Sequence, residues 1–108
     1  MKQNVYITED MSKIVAETPG MTTDFCDVPL KEVTKAQRKG AISLVSDPEA
    51  ASFMNSMGVY VSVNVDNTIY RPVPGDVVYL LARQRGDDKA TPLDPSRVSI
   101  MRTVYAVE

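Results

Sequence analysis

Ser46-Asp47-Pro48-Glu49 is the sharpest local signal for chemistry in the chain. It lies between an apolar run and a helical pattern. A strand-to-helix turn presents backbone N–H groups and the positive end of a helix dipole, which suits a phosphate. Asp47 and Glu49 are also candidates for proton transfer. The plain structural reading is a helix cap, with Asp47 as N-cap and Pro48 as first helical residue, or Ser46 and Glu49 as a capping box. Asp47 opposes anion binding, because its carboxylate competes for the same N–H groups. A second group is Arg83-Gln84-Arg85-Gly86-Asp87-Asp88, at the exit of a strongly apolar run. Arg83 and Arg85 can hold phosphates in bidentate fashion, and Asp88 can serve as acid or base. In isolation this cluster reads as a solvated, charge-balanced turn. Thr8, Glu9, Asp10 and Ser12 form the third group, just after a short first strand.

Composition narrows the chemistry further. The 108 residues contain no His, so the commonest general base and metal ligand is absent. The single Cys, Cys26, rules out an internal disulfide framework and a cysteine-rich zinc site, and it reads as a small buried hydrophobe. No glycine-rich phosphate loop occurs, and adjacent acidic residues are weak support for Mg²⁺. No metal and no cofactor are expected. The net charge of −2 and pI near 5.1 argue against a long nucleic acid as partner. No apolar run approaches the roughly 20 residues of a membrane span. The first residues lead into a strand rather than a signal segment, so a cytoplasmic setting is expected.

These groups must be positioned by a small set of elements. Val5-Tyr6-Ile7 predicts a first strand, and the spacing of Met11, Ile14 and Val15 a helical turn or two. Thr18-Pro19-Gly20 is a turn. Residues 24–28 alternate as a strand. Pro29 is placed at the first position of a helix through Gln37, closed by Lys35, Arg38, Lys39 and a C′ Gly40. Residues 41–45 predict a buried strand. A helix follows from Pro48 and stops at Gly58, with Ala50, Phe53, Met54 and Met57 on its packed face. Val59 to Val65 alternate as a half-buried strand, Asp66-Asn67 turn the chain, and residues 69–71 return as a short strand. The nearly all-apolar residues 77–82 predict a central strand covered on both faces. Residues 98–100 and 103–107 supply closing strands. The expected fold class is α/β, a small mixed β-sheet with helices packed mainly on one face, in a single domain over residues 1–108. Its open sheet would bind ligand beyond the carboxyl ends of the strands.

In this order the segments resemble the B116-like family of archaeal viruses, bacteriophages and integrative elements, from Val5 to about Leu93. The carriers are Val5-Tyr6-Ile7 with its polar loop, the helix from Leu30 to Gly40, the strand-turn-helix from Ile42 to Asn55-Ser56-Met57-Gly58, and the strand from Gly75-Asp76 into Gln84-Arg85 with acidic residues after it. Characterised members are anti-CRISPR ring nucleases that destroy cyclic tetra-adenylate. The resemblance implies a homodimer with a cleft for a cyclic oligonucleotide across its two-fold axis. The family's arginine after the central strand matches Arg85, and Arg71 is a displaced candidate for a loop arginine; Thr8, Ser12, Ser46 and Asn55 are the further ligand-binding candidates. Asp88 matches the family's glutamate. The family's catalytic Gly-His pair reads Ser46-Asp47 here. An Asp near its ordinary pKa of ~3.9 is almost fully ionised at neutral pH and is a poor acid. The expectation is therefore a viral or mobile-element counter-defence protein that sequesters the messenger without efficient cleavage. The alternatives are a ring nuclease with a rebuilt site, using Asp47, Glu49 or Asp88, or a protein-binding dimer that has lost the nucleotide.

Overall fold

The computed structural model describes residues 4–10, 14, 21–64, 70–73, 75–83, 93–94 and 98–107. In chain order these form β1 (Val5–Thr8), β2 (Met21–Val28), α1 (Leu30–Arg38), β3 (Ile42–Ser43), α2 (Pro48–Ser56), β4 (Val77–Arg83) and β5 (Val98–Val107). The strands make one mixed sheet in the order β2-β5-β4-β1-β3. Strands β3, β1 and β4 run parallel, while β5 is antiparallel to both β4 and β2. This is the small mixed α/β sheet that the pattern predicts.

Burial explains the layering. Ile7, Val77, Tyr79, Leu81 and Ile100 point to one face and pack on Val33 of α1 and on Ala50, Ala51 and Met54 of α2. The opposite face carries Tyr6, Val78 and Tyr105, covered by Leu44, Ile14 and Tyr70. The Tyr6 and Tyr70 rings lie 5.6 Å apart in a tilted pair. Both helices thus sit on one face. Strand β4 is central and buried on both sides, as its apolar run requires.

Both helices stop by the same device. Gly40 (φ +96°) and Gly58 (φ +93°) take the left-handed conformation that favours glycine. Gly40 N–H donates to Gln37 and Ala41 N–H to Ala36, while Gly58 N–H donates to Asn55 and Val59 N–H to Met54. These are Schellman closures, and they satisfy carbonyls that a helix end would otherwise orphan. At its start α1 differs from expectation by one residue. Pro29 is the N-cap, extended at φ −70° and ψ 151°, and Leu30 is the first helical residue.

Four other expectations are corrected. The run 41–45 forms only a two-residue strand, at the sheet edge rather than inside it, with Ile42 40% exposed. Burial survives at Leu44 and Val45, and Leu44 N–H still reaches the Ile7 carbonyl at 2.8 Å. Residues 59–64 do not join the ladder. Val59 and Val61 are buried and Tyr60 exposed, as the alternation predicts, but Val63, expected on the same buried face, is 41% exposed. Asn55 accepts from Val61 N–H, Ser43 Oγ donates to the Ser62 carbonyl, and Asn64 N–H donates to the Val45 carbonyl at 2.7 Å. Ile14 forms a parallel bridge with Tyr70, so the chain is extended at that point rather than helical. The two closing strands are one continuous β5. The expected turns at residues 18–20 and 66–67 lie outside the described residues. Among the described residues, no helix is long and apolar enough to cross a membrane.

Asp76 ties the sheet together at the amino end of β4. It is 1% exposed. Its carboxylate accepts from Asn4 N–H (3.1 Å) and Val73 N–H (2.9 Å), and its carbonyl accepts from Tyr105 N–H (3.0 Å). One residue therefore fastens the entry to β1, the approach to β4 and the end region of β5.

Candidate functional site

The parallel register sets one rim of the sheet. Val5 pairs with Val77, Thr8 with Leu80 and Ile7 with Ser43, so β1, β3 and β4 all point their carboxyl ends the same way. Residues 8–10, residues 44–49 and the exit of β4 consequently share this rim. Two of the three polar groups read from the sequence meet there.

The contacts at the rim are specific. Glu9 reaches over the turn between β3 and α2, where its carboxylate accepts from Ser46 N–H (3.1 and 3.3 Å) and from Ser46 Oγ (3.3 Å). Asp47 is the N-cap of α2, accepting from Glu49 N–H at 3.0 Å, with Pro48 as first helical residue. The Ser46–Glu49 capping box does not form; Ser46 is held by Glu9 instead. Carboxylates thus occupy the donors that would cradle a phosphate at this helix end. Thr8 is fully buried, with its hydroxyl spent on the Asp10 backbone in a local turn. Glu49 is exposed on the first turn of α2.

The remaining candidates are placed differently. Asn55 lies at the far end of α2, about 12 Å along the helix from Asp47 at 1.5 Å per residue. Its side chain supports the segment after the helix rather than the rim. Arg71 is exposed and follows Tyr70, which packs on the sheet face opposite the helices. Ser12, Arg85 and Asp88 lie outside the described residues. Strand β4 runs to Arg83, three residues beyond the Leu80 that pairs with Thr8, so its carboxyl end lies at this rim. Among the described residues, no group of three or more Cys, Asp or Glu could hold a metal ion.

A second polar assembly lies on the helix face of the sheet. Arg102 Nη1 of β5 donates to both carboxylate oxygens of Glu32 of α1, at 2.9 and 3.0 Å, and Tyr79 OH donates to the same carboxylate at 3.0 Å. Tyr79 and Arg102 are register partners on β4 and β5. Burial, and then the bond to Glu32, push the Tyr79 phenol up to about 12. Burial and the nearby Asp76 raise Tyr6, and burial raises Tyr105. Cys26 is exposed, against expectation, with Sγ 4.0 Å from an Arg102 nitrogen. The alternation of β2 places it across from Arg102, near the edge of the sheet, where the core does not reach.

Beside this assembly a cleft of about 610 Å³ opens between α1 and the amino ends of the parallel strands. Val5, Ala36 and Val77 give it apolar walls, Tyr79 and Glu32 contribute polar groups, and Lys35 and Lys39 line it from α1. Sequence reading missed the cleft and the Glu32–Tyr79–Arg102 group. Glu32 is 47 residues from Tyr79 and 70 from Arg102, so no local spacing marks them. The one available signal was the Lys35–Lys39 spacing, which reads equally as a complement to the helix dipole.

No protein-family profile and no curated protein matches the chain. Among solved structures, the fold is similar to "B116 of Sulfolobus turreted icosahedral virus (STIV)", with a TM-score of 0.66 at 10% sequence identity. The match covers 94% of this chain and 98% of that chain. At such low identity the likeness shows a B116-like fold and nothing finer.

Proposed function

We propose that this protein binds a cyclic oligonucleotide messenger of the cyclic tetra-adenylate type at the carboxyl rim, across the two-fold axis of a homodimer, and sequesters it without efficient cleavage. In a virus or mobile element this would be a counter-defence function in the host cytoplasm. The observation that carries the reading is a B116-like fold whose register gathers Thr8, Glu9, Ser46 and Asp47 where β4 leads into Arg85. The filled helix end shifts phosphate recognition to arginine. Arg85 is the anion-binding group in this reading, because the N–H donors of residues 46 and 49 already hold carboxylates. The chain's chemistry supports sequestration over cleavage. Phosphodiester cleavage needs a proton donor for the leaving oxygen, and the chain has no His. Asp47, which takes its place, acts as a hydrogen-bond acceptor on the helix end.

The test mixes the protein with cyclic di-, tri-, tetra- and hexa-nucleotides and reads each mixture by native and denaturing mass spectrometry. The expected result is intact ligand in a complex of two chains and one ring, weakened ~10-fold or more by Arg85→Ala, or about 1.4 kcal/mol. Linear product would replace sequestration by cleavage and direct attention to Asp47, Glu49 and Asp88. The absence of both binding and cleavage would overturn the nucleotide reading and leave a protein-binding dimer.

A further inference from the structure

We infer that the cleft between α1 and the amino ends of β1, β3 and β4 is a second ligand site, which takes a phosphomonoester with an apolar or planar body. It lies at the opposite end of the parallel strands from the rim discussed above and does not depend on that reading.

Three observations carry it. The volume of about 610 Å³ falls within the range of small-molecule pockets, roughly 300–1,000 Å³. Its walls at Val5, Ala36 and Val77 are apolar and suit the body of a ligand rather than a bare ion. Its charge is positive in a chain whose net charge is −2. Among the described residues the one carboxylate in the lining, Glu32, is matched by Arg102 Nη1 and by Tyr79 OH. Lys35 and Lys39 also line the cleft, and among the described residues neither makes an ion pair. One helical turn separates them, which brings their Cβ atoms within about 6 Å. Two ammonium groups at that spacing can flank one phosphate, a geometry that suits lysine's point charge. Complementing the helix dipole accounts for basic residues in the last turn of α1, but not for a cleft open beneath them. Tyr79, held neutral with its proton donated to Glu32, leaves its oxygen as an acceptor for a hydroxyl or amine on the ligand body.

Isotope-labelled protein titrated with phenyl phosphate, inorganic phosphate and benzyl alcohol tests this by amide shifts in NMR. Phenyl phosphate is expected to give saturable shifts at Ala36, Gly40 and Ala41. Inorganic phosphate and benzyl alcohol should each bind ~10-fold more weakly or worse, since each lacks half of the ligand. Lys35→Gln combined with Lys39→Gln should weaken phenyl phosphate by ~10-fold or more. Lys31→Gln, on the same helix but outside the cleft, should leave it unchanged. Ala36→Leu should block the cleft while preserving the helix. Absence of saturable shifts would overturn the proposal. So would benzyl alcohol binding as tightly as phenyl phosphate, or Lys31→Gln weakening binding as much as the double variant.

Discussion

Replacing Asp76 should be among the costliest single changes outside the apolar core. The side chain is almost wholly buried, and its two oxygens serve two backbone N–H groups, of Asn4 and Val73. Asp76→Ala strands both donors at the amino end of β4. Each unsatisfied buried N–H costs about 1–3 kcal/mol, and the lost bonds were to a charged acceptor. The expected loss is about 3–5 kcal/mol, a large part of the roughly 5–15 kcal/mol that holds a domain of this size. Asp76→Asn keeps one acceptor oxygen but turns an NH₂ group towards the second N–H, so its loss should be intermediate, about 2–3 kcal/mol. Urea denaturation followed by circular dichroism measures both. With a slope of about 1.5 kcal/mol per molar urea, the alanine midpoint should fall by roughly 2–3 M. An alanine variant within about 1 kcal/mol of the parent, or an asparagine variant as stable as the parent, would refute the reasoning, because the two donors would then be satisfied without the carboxylate.

Asp47→Ala should cost about 1 kcal/mol through the lost cap on Glu49 N–H, while Asp47→Asn stays close to the parent in the same denaturation experiment. Met54, 1% exposed between α2 and the sheet, should lose about 2–5 kcal/mol on change to Ala, read as a lower melting temperature. Tyr79 is pushed up from 10.0 to about 12, mainly by burial, so the folded chain holds this proton more tightly than the unfolded one. Its contribution to stability is whole below pH 10 and is lost as pH rises from 10 towards 12. Denaturation midpoints across that window should fall with pH, less steeply in Tyr79→Phe; Tyr6 and Tyr105, also raised, keep part of the slope.

Much of the local structure was legible because it depends on neighbours in the chain. The Asp47-Pro48 start of α2 and the glycine stops at Gly40 and Gly58 each rest on bonds spanning five residues or fewer. The burial of β4 was legible for a related reason: an unbroken apolar run is stable only with both faces covered. Residues 59–64 show where this fails. Their valine alternation is that of a strand, and Val59 and Val61 are buried accordingly, but Val63 is exposed, and the bonds at Val61 and Ser62 go to the side chains of Asn55 and Ser43, with one backbone bond from Asn64 to Val45. The brevity of β3 was hidden likewise, since burial of Leu44 and Val45 is the same beside a sheet edge as inside a sheet.

The sequence by itself determined which residue types are available for chemistry, that α1 and α2 form and where they stop, and which run must lie at the centre of the sheet. Only the tertiary structure decided that Glu9 would occupy the Ser46 N–H, that Glu32, Tyr79 and Arg102 would converge on one carboxylate, and that a cleft would open below Lys35 and Lys39. Caps and turns are chosen by bonds within a few residues. Strand order and register are chosen by the joint burial of two sheet faces, and no short window of the chain contains that information.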